Sequence, residues 1–403
     1  MNKLAIAIFT PFFSAGDELE SGIGVHYRDL AIGLKQYGND VVVFHFPYDT
    51  TECKSWDFEG IKVHSVGFKT LGFTKIRGIG LLCNMVKFFD FFEAFQLFAK
   101  SRIIFSKYHS LKSFDIIEAS SNRGVALGVS TLRKRPPIFT RVSTTMNQVF
   151  QEYDEQPDLN YRLAARFEIS QIKRSDFLVT HTKNHAKITA KDIRIDQSRF
   201  SIIPHAISLT TNPNISNSRS DNFVRILFVG RLEARKGIDI LISAIPKILE
   251  KNQNVIFDIC GSGDHLPYQL EFGLQKKVFF HGYQSRDSLE QFYKICDIFV
   301  APSRYESFGL VYLEAMRFGK PVVACNSGGT PEVIEHKKTG LLVEPGKVRP
   351  LVKAILHLIS NPNYRHLLGN SGKKRCKELF SIERLLDSTL LNYRVSLSNY
   401  QQN

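Results

Sequence analysis

Short runs of consecutive apolar residues alternate along this chain with longer stretches in which apolar residues recur every third or fourth position. The first run is LAIAIFT, followed by a glycine turn at Ser21–Gly24, then HYRDLAIGLKQYG, then VVVFHF. In the middle segment Leu30, Ile32 and Leu34 sit among polar residues at near-helical spacing, and Gly38 supplies a stop. A strand of unbroken apolar character joined through a helix to another such strand belongs to a parallel sheet buried on both faces. IKVHSV, FDIIEAS, PIFTRVS, FLVTHT and FSIIPHA continue the series, which makes residues 1–207 one doubly wound α/β domain. Apolar residues then almost vanish between Ser208 and Asn222, a linker of Ser, Asn, Thr and Pro. The alternation resumes with VRILFVG, VIFDICG, KVFFHG, DIFVAPS, PVVACNSGG and GLLV, with helices expected from Gly237, from about Phe308 and from near Lys347. Residues 223–381 thus form a second doubly wound domain. Residues 382–403 form a C-terminal helix that can cross back to the first.

The length of 403 residues suits two cores of roughly 200 residues each. With 53 Lys and Arg against 39 Asp and Glu, the formal charge is +14, which attracts phosphorylated ligands, anionic lipid headgroups or nucleic acid. Cys53, Cys83, Cys260, Cys296, Cys325 and Cys376 show neither a CxxC pair nor a Cys/His ligand spacing. No zinc site or disulfide framework is indicated, and a reducing cytoplasm is expected. The opening MNKLAIAIF has the look of a signal peptide, but Pro11 ends its apolar run early, and a first strand is the better reading. No stretch that is both uncharged and apolar reaches the ~18 residues of a spanning helix; the apolar segment between Arg77 and Lys87 has about half of them. Residues 85–112 are crowded with Phe and interspersed with Lys87, Lys100, Arg102 and Lys107. They read either as a core helix with a solvated basic end or as a helix in peripheral contact with an anionic membrane, on the inner face, or with a lipid-like acceptor.

Chemistry concentrates where strands of the second domain end. Gly230-Arg231-Leu232-Glu233-Ala234-Arg235-Lys236-Gly237 follows ILFV, and Gly261-Ser262-Gly263 follows FDIC. His281-Gly282-Tyr283, Pro302-Ser303-Arg304-Tyr305-Glu306 and Ser327-Gly328-Gly329-Thr330 follow three further strands. The carboxyl ends of strands in an open α/β sheet border the ligand crevice, and glycines there allow close backbone approach. Together these edges suit an elongated ligand bearing phosphate. Arg231 and Lys236 are cations able to stabilise the charge that a diphosphate leaving group gains, work that many transferases give to a metal on an Asp-x-Asp pair; no well-placed pair of that kind is present. Glu306 and Glu314 are separated by seven residues, about 10 Å if the intervening chain is helical. That is a reach from a hexose to a ribose across a diphosphate, and carboxylates accept strongly from sugar hydroxyls. Phe308-Gly309-Leu310 opens a helix whose first N–H groups suit a phosphate oxygen.

The GRLEARKG loop, the E-x7-E segment, GGTPEVI at Gly328–Ile334 and GLLV at Gly340–Val343 resemble the retaining glycosyltransferases of family 4. The likeness is strong over most of Phe223–Pro345 and weaker before it, where SGIGVHYRDLA looks like the family's glycine loop and helix. The resemblance implies a GT-B fold, two facing Rossmann-like domains, and transfer of a hexose-type sugar with retention from a nucleotide-diphosphate sugar to a hydroxyl of a glycan or lipid-linked acceptor, in cell-surface polysaccharide or glycolipid assembly, with no cofactor and no metal. It implies that Arg231 and Lys236 bind the diphosphate, Glu306 the transferred sugar and Glu314 the ribose. Gly309 and Leu310, beside Phe308, would meet phosphate through backbone N–H; His281 and Gly282 would meet the base; Gly230, Gly261 and Gly263 would line the donor. Gly22 and Gly24 would form the first-domain loop near donor and acceptor.

Two departures stand out. Where the family often has a histidine near the reacting sugar, this chain has Glu118 and Ser143, with His181 the nearest alternative; Glu118, Arg141 and His181 are the candidate cleft residues of the first domain. His205-Ala206-Ile207-Ser208 replaces the family's Asn-Gly-x-Asp. Rival readings are a sugar-nucleotide epimerase or hydrolase of the same architecture, which consumes donor without an acceptor, and a non-catalytic sugar-nucleotide-binding subunit. A nicotinamide dehydrogenase lacks its G-x-G-x-x-G, a P-loop NTPase its GK[ST], and nucleic-acid binding any module signature.

Overall fold

The computed structural model describes residues 3–14, 22–47, 52–67, 89–111, 113–151, 157–210, 222–264 and 277–401. The chain divides into two compact units, one comprising Met1–Ile203 with Leu385–Asn403 and the other Pro204–Arg384. Ser21, the Arg77–Lys87 segment, residues 85–88 and 112, and linker residues 211–221 lie outside the described residues.

The first unit is built on eight strands: β1 (Ala5–Thr10), β2 (Asp40–His45), β3 (Cys53–Phe58), β4 (Ile61–Val66), β5 (Ile116–Ser120), β6 (Ile138–Arg141), β7 (Phe177–Thr180) and β8 (Phe200–Ile202). Their order is β3-β4-β2-β1-β5-β6-β7-β8, all parallel except β3, which pairs antiparallel with β4. The hairpin between them turns on Glu59 and Gly60, at φ 51° and 74°, the left-handed pair that a tight two-residue turn requires. Helices α1 (Gly22–Gln36), α2 (Phe89–Leu111), α3 (Leu127–Ser130), α4 (Met146–Gln151), α5 (Leu159–Arg174) and α6 (Lys183–Ile193) accompany this sheet. Gly22 and Gly24, expected in a loop, lie in the first turn of α1.

The second unit carries β9 (Val224–Val229), β10 (Val255–Cys260), β11 (Val278–Gly282), β12 (Ile298–Ala301), β13 (Val322–Cys325) and β14 (Gly340–Val343), wholly parallel in the order β11-β10-β9-β12-β13-β14. Its helices are α7 (Ile238–Lys251), α8 (Arg286–Ile295), α9 (Leu310–Arg317), α10 (Thr330–Val333), α11 (Val348–Ser360) and α12 (Pro362–Leu379), and α13 (Ile382–Gln401) ends the chain. Ile238, Leu241, Ile242, Ile245, Ile248 and Leu249 of α7 recur at three- and four-residue steps, and all are buried against β9, β10 and α11. On the other face Tyr312, Leu313 and Met316 of α9 pack with Leu227, Phe299 and Ala324. Strands β10, β12 and β13 are buried along their whole length and so are mostly apolar in succession rather than in alternation, whereas the edge strand β11 leaves Phe279 exposed.

Candidate functional site

In the second unit β9 is flanked by β10 on one side and β12 on the other, so the chain runs outward in both directions from the β9/β12 boundary. Loops leaving the carboxyl ends of two such strands diverge to opposite faces and open a crevice between them. The loop after β9 carries Arg231, Glu233, Arg235 and Lys236, the last three residues before Gly237 forming a 3-10 turn at Ala234–Lys236. The loop after β12 carries Ser303, Arg304 and Glu306. Lys236 Nζ donates to Glu306 Oε1 at 2.5 Å, and Ser303 Oγ donates to the same oxygen at 3.0 Å. Glu306 is only 8% exposed. Burial alone raises its pKa, but the charges of Lys236 and Arg235 and the two hydrogen bonds outweigh this and hold it below the usual carboxylate range. Glu306 is therefore ionised at neutral pH. Both bonds fall on one oxygen, Oε1, so the carboxylate is anchored by one edge.

Three further contacts bolt these loops together. Arg304 Nη1 and Nη2 donate to Asp239 Oδ1 and Oδ2 at 2.8 and 2.7 Å, a bidentate pair across the boundary. Arg304 N donates to Arg235 O at 2.8 Å. Gly237, at φ 73°, brings the β9 loop so close to Pro302 that a Cβ there would lie 2.1 Å from the Pro302 carbonyl oxygen. The glycines read as making room for a ligand largely make room for protein. A Cβ on Gly261 would sit 1.9 Å from Gly230 O, one on Gly263 2.8 Å from Leu232, and one on Gly328 2.1 Å from Glu306 O. Gly329 N also donates to Glu306 O at 2.7 Å, so the Gly328-Gly329 pair fixes the backbone of Glu306.

The helix α9 begins at Leu310, with Gly309 before it at φ 88° and no side chain capping its first turn. Tyr312 N in that turn donates back to Gly309 O at 3.0 Å, and the N–H groups ahead of it suit an outside acceptor. Only the last stretch of the E-x7-E run is helical, so the expected helical spacing of Glu306 and Glu314 does not apply. Glu314 lies in α9 and accepts from Tyr293 Oη of α8 at 2.6 Å. The Tyr293 phenol is pushed well up by burial, and further by the Glu314 charge and hydrogen bond. Phe308 is buried, its ring edge-on to His205 and to Phe380. At the β11 end, His281 Nε2 lies 2.8 Å from the buried Asp258 Oδ1, whose other oxygen accepts from Arg225 at 3.0 Å. Gly282, at φ 65°, has open space where a Cβ would stand. Sequence reasoning missed Ser303 as the partner of Glu306, and also Tyr293, Asp258 and the Arg304–Asp239 clamp. Their roles follow from side-chain pairing between strands far apart in the chain, and no local signal marks them.

The first-unit candidates are differently placed. Glu118 is 0% exposed and Arg141 2%; Arg141 Nε donates to Glu118 Oε1 at 2.9 Å. Tyr393 Oη of α13 donates to Glu118 Oε2 at 2.8 Å, and Arg141 Nη2 approaches Thr389 Oγ1 at 3.5 Å. Burial opposes the Arg141 charge, but Glu118 more than offsets it and keeps the guanidinium protonated. The pair is a sealed brace between sheet and helix, which corrects the expectation that these residues face a cleft. His181 is buried after β7, with its ring 6.2 Å from that of His26 in α1. Gly22 is exposed and Gly24 buried at the start of α1. Among the described residues no group of three His, Cys, Asp or Glu could hold a metal ion, and no helix is long and apolar enough to cross a membrane.

Residues 211–375 match the family described as glycosyl transferases group 1. An uncharacterised glycosyltransferase of Methanocaldococcus jannaschii is 28% identical over 93% of this chain and 95% of its own length. A GDP-mannose-dependent alpha-(1-6)-phosphatidylinositol monomannoside mannosyltransferase of Mycobacterium tuberculosis is 32% identical over 37% of this chain and 42% of its own. Among solved structures, sucrose-phosphate synthase from Thermosynechococcus elongatus aligns with a TM-score of 0.79 at 21% identity, covering 99% of this chain and 100% of that one. Anabaena HepE, solved with UDP-glucose, aligns with a TM-score of 0.70 at 17% identity, covering 98% of this chain and 100% of that one. The fold is GT-B, and residues 211–375 are similar to the group 1 glycosyl transferases.

Proposed function

We propose that the chain transfers a hexose-type sugar, with retention at the anomeric carbon, from a nucleoside-diphosphate sugar to a hydroxyl of a glycan or lipid-linked acceptor, without a metal. The observation that carries this reading is the Lys236–Glu306 pair at the sheet's switch point, with Arg231 in the same loop as Lys236. Positive charge stands there for the diphosphate that leaves. An ionised carboxylate, tethered through Oε1, keeps its other oxygen for a sugar hydroxyl. The uncapped start of α9 and Glu314 extend the same edge toward phosphate and ribose. A mannosyltransferase that uses GDP-mannose and a structural neighbour solved with UDP-glucose support a nucleotide sugar as donor; retention rests on the family 4 resemblance of the E-x7-E segment. In this reading Lys236 and Arg231 stabilise the departing phosphate while the incoming hydroxyl attacks on the same face. Assembly of cell-surface polysaccharide or glycolipid, with the region around α2 meeting an anionic membrane, completes the proposal.

The test is a panel of UDP-, GDP- and ADP-sugars incubated with lipid-linked and free glycan acceptors, in EDTA and in Mg²⁺. Product carrying the donor's anomeric configuration, formed at equal rates in EDTA, is expected. Donor consumption that needs no acceptor points instead to an epimerase or hydrolase, and binding without turnover for any acceptor to a non-catalytic subunit.

A further inference from the structure

The two cations proposed to meet the diphosphate are both occupied by carboxylates of the chain itself. Lys236 holds Glu306, and Arg231 Nη2 lies 3.1 Å from Glu233 Oε1. The same Glu233 oxygen accepts from Arg235 Nη2 at 2.8 Å. Arg235 is buried and Glu233 largely so, whereas the Arg231 side chain is 60% exposed. Glu233 stands just before the 3-10 turn, in extended conformation, and its side chain makes no capping bond to that turn. Its carboxylate is instead spent on two guanidinium groups. Three cations (Arg231, Arg235, Lys236) and two carboxylates (Glu233, Glu306) leave the cluster one positive charge in excess. An incoming diphosphate needs more than that, and the contact it can displace is the exposed one.

We propose that Glu233 is an internal competitor for the diphosphate: it pairs with Arg231, stays with buried Arg235 when a ligand binds, and yields Arg231 to the phosphate oxygens. A carboxylate and a phosphate present similar acceptor pairs to a guanidinium, so exchange between them needs only rotation of the exposed Arg231 side chain. The consequence is weakened binding of anything that bears the diphosphate, the product nucleoside diphosphate included, so the device favours product release. It rests on the donor reading given above.

The experiment is calorimetric titration of UDP, GDP and ADP, and of the three nucleosides as phosphate-free controls, into the full chain. Wild type is compared with Glu233→Gln, Glu233→Ala and the charge-keeping Glu233→Asp. Binding of the preferred diphosphate is expected to tighten about two- to fivefold in Glu233→Gln and Glu233→Ala, the range an exposed ion pair spans. Nucleoside binding and Glu233→Asp should show no such gain. If wild type binds a diphosphate and neither neutral variant binds it more tightly, Glu233 only braces the loop and the inference falls alone. If wild type binds none of the three diphosphates, the donor reading fails and takes this inference with it. Tightening that extends equally to the nucleosides also overturns it, since the effect is then not on phosphate. Either neutral variant suffices if the other does not fold.

Discussion

In the proposed reaction Lys236 carries a chemical charge as well as a structural one, and single substitution cannot separate them. Lys236→Ala strands Glu306, a carboxylate 8% exposed, without its main counter-charge. Removing one partner of a buried pair costs about 3 kcal/mol. The double variant Lys236→Ala/Glu306→Gln removes the stranded charge and is expected to recover most of that loss, while transfer stays on the order of 100-fold or more below wild type. Urea unfolding and initial rates on the single and double variants check both halves. Recovery of rate along with stability would mean that Lys236 serves only the fold. A second residue, Glu168 of α5, is buried with Met146 N and Ser121 Oγ donating to it at 2.8 and 3.3 Å. Burial dominates these bonds and lifts its pKa from 4.5 to about 7. The folded state then binds a proton that the unfolded state has released between pH 4.5 and 7, so this group's favourable contribution is present below 4.5 and fades as pH rises through 7. Glu168→Gln, which cannot ionise, is expected to gain on wild type as pH rises from 5 to 8, by up to about 3 kcal/mol in the limit. Thermal melts of both proteins across that range give the sign.

At the scale of elements, the loops after β9 and β12 act as one piece because glycine lets their backbones touch. Gly237→Ala combines φ 73° with a 2.1 Å approach to Pro302 O, and a loss of about 2–4 kcal/mol is expected. Gly282→Ala has φ 65° but nothing within 4 Å of its Cβ, so only the conformational term of about 1 kcal/mol applies. Denaturation midpoints of the two variants separate contact from backbone strain; equal losses would show that strain alone matters. Legibility in the sequence follows the same division. Buried parallel strands are apolar in succession, so nearly all were visible, down to the four-residue GLLV of β14. β3 was not, because CKSWDF is an exposed edge strand with no apolar signature. α8 was missed because Arg286, Asp287, Glu290 and Lys294 make its ten residues polar, although Glu290 is in fact buried against Arg317. The SGIG stretch read as a loop because two glycines lower helix propensity, yet packing of Tyr27, Leu30 and Leu34 carries the helix to Gly22. In the site, single residues such as Lys236 and Glu306 were legible from charge beside glycine at a strand end. Their mutual pairing, 70 positions apart, was not, and neither was the sealing of Glu118 and Arg141. Only the strand order decides which loops meet.

At the scale of the molecule, the first unit cannot be completed by the first half of the chain. Leu386, Leu390 and Tyr393 of α13 recur at four- and three-residue steps and are buried in it. Gly33 of α1 leaves space that Leu386 fills, its methyl 2.5 Å from where a Cβ would be. Tyr393 also closes the Glu118–Arg141 brace, and its ring stands edge-on to Phe139 at 4.8 Å. Without these residues an apolar face of the sheet and a buried ion pair open to water. The energetic loss is that of two leucines and a tyrosine at about 1.5–3 kcal/mol each, a large fraction of a domain's ordinary stability. A chain ending at Arg384 is therefore expected to keep the second unit folded and to lose the first. Hydrogen exchange should show protection retained in β9–β14 and lost in β1, β5, β6 and β7. A synthetic peptide of residues 385–401 should restore protection to those four strands, and the same peptide with Tyr393→Phe should do so more weakly by about 1–3 kcal/mol, the cost of leaving a buried carboxylate oxygen without its donor. Protection of the first unit that persists in the shortened chain would show that α13 is an ornament of the sheet rather than part of its core.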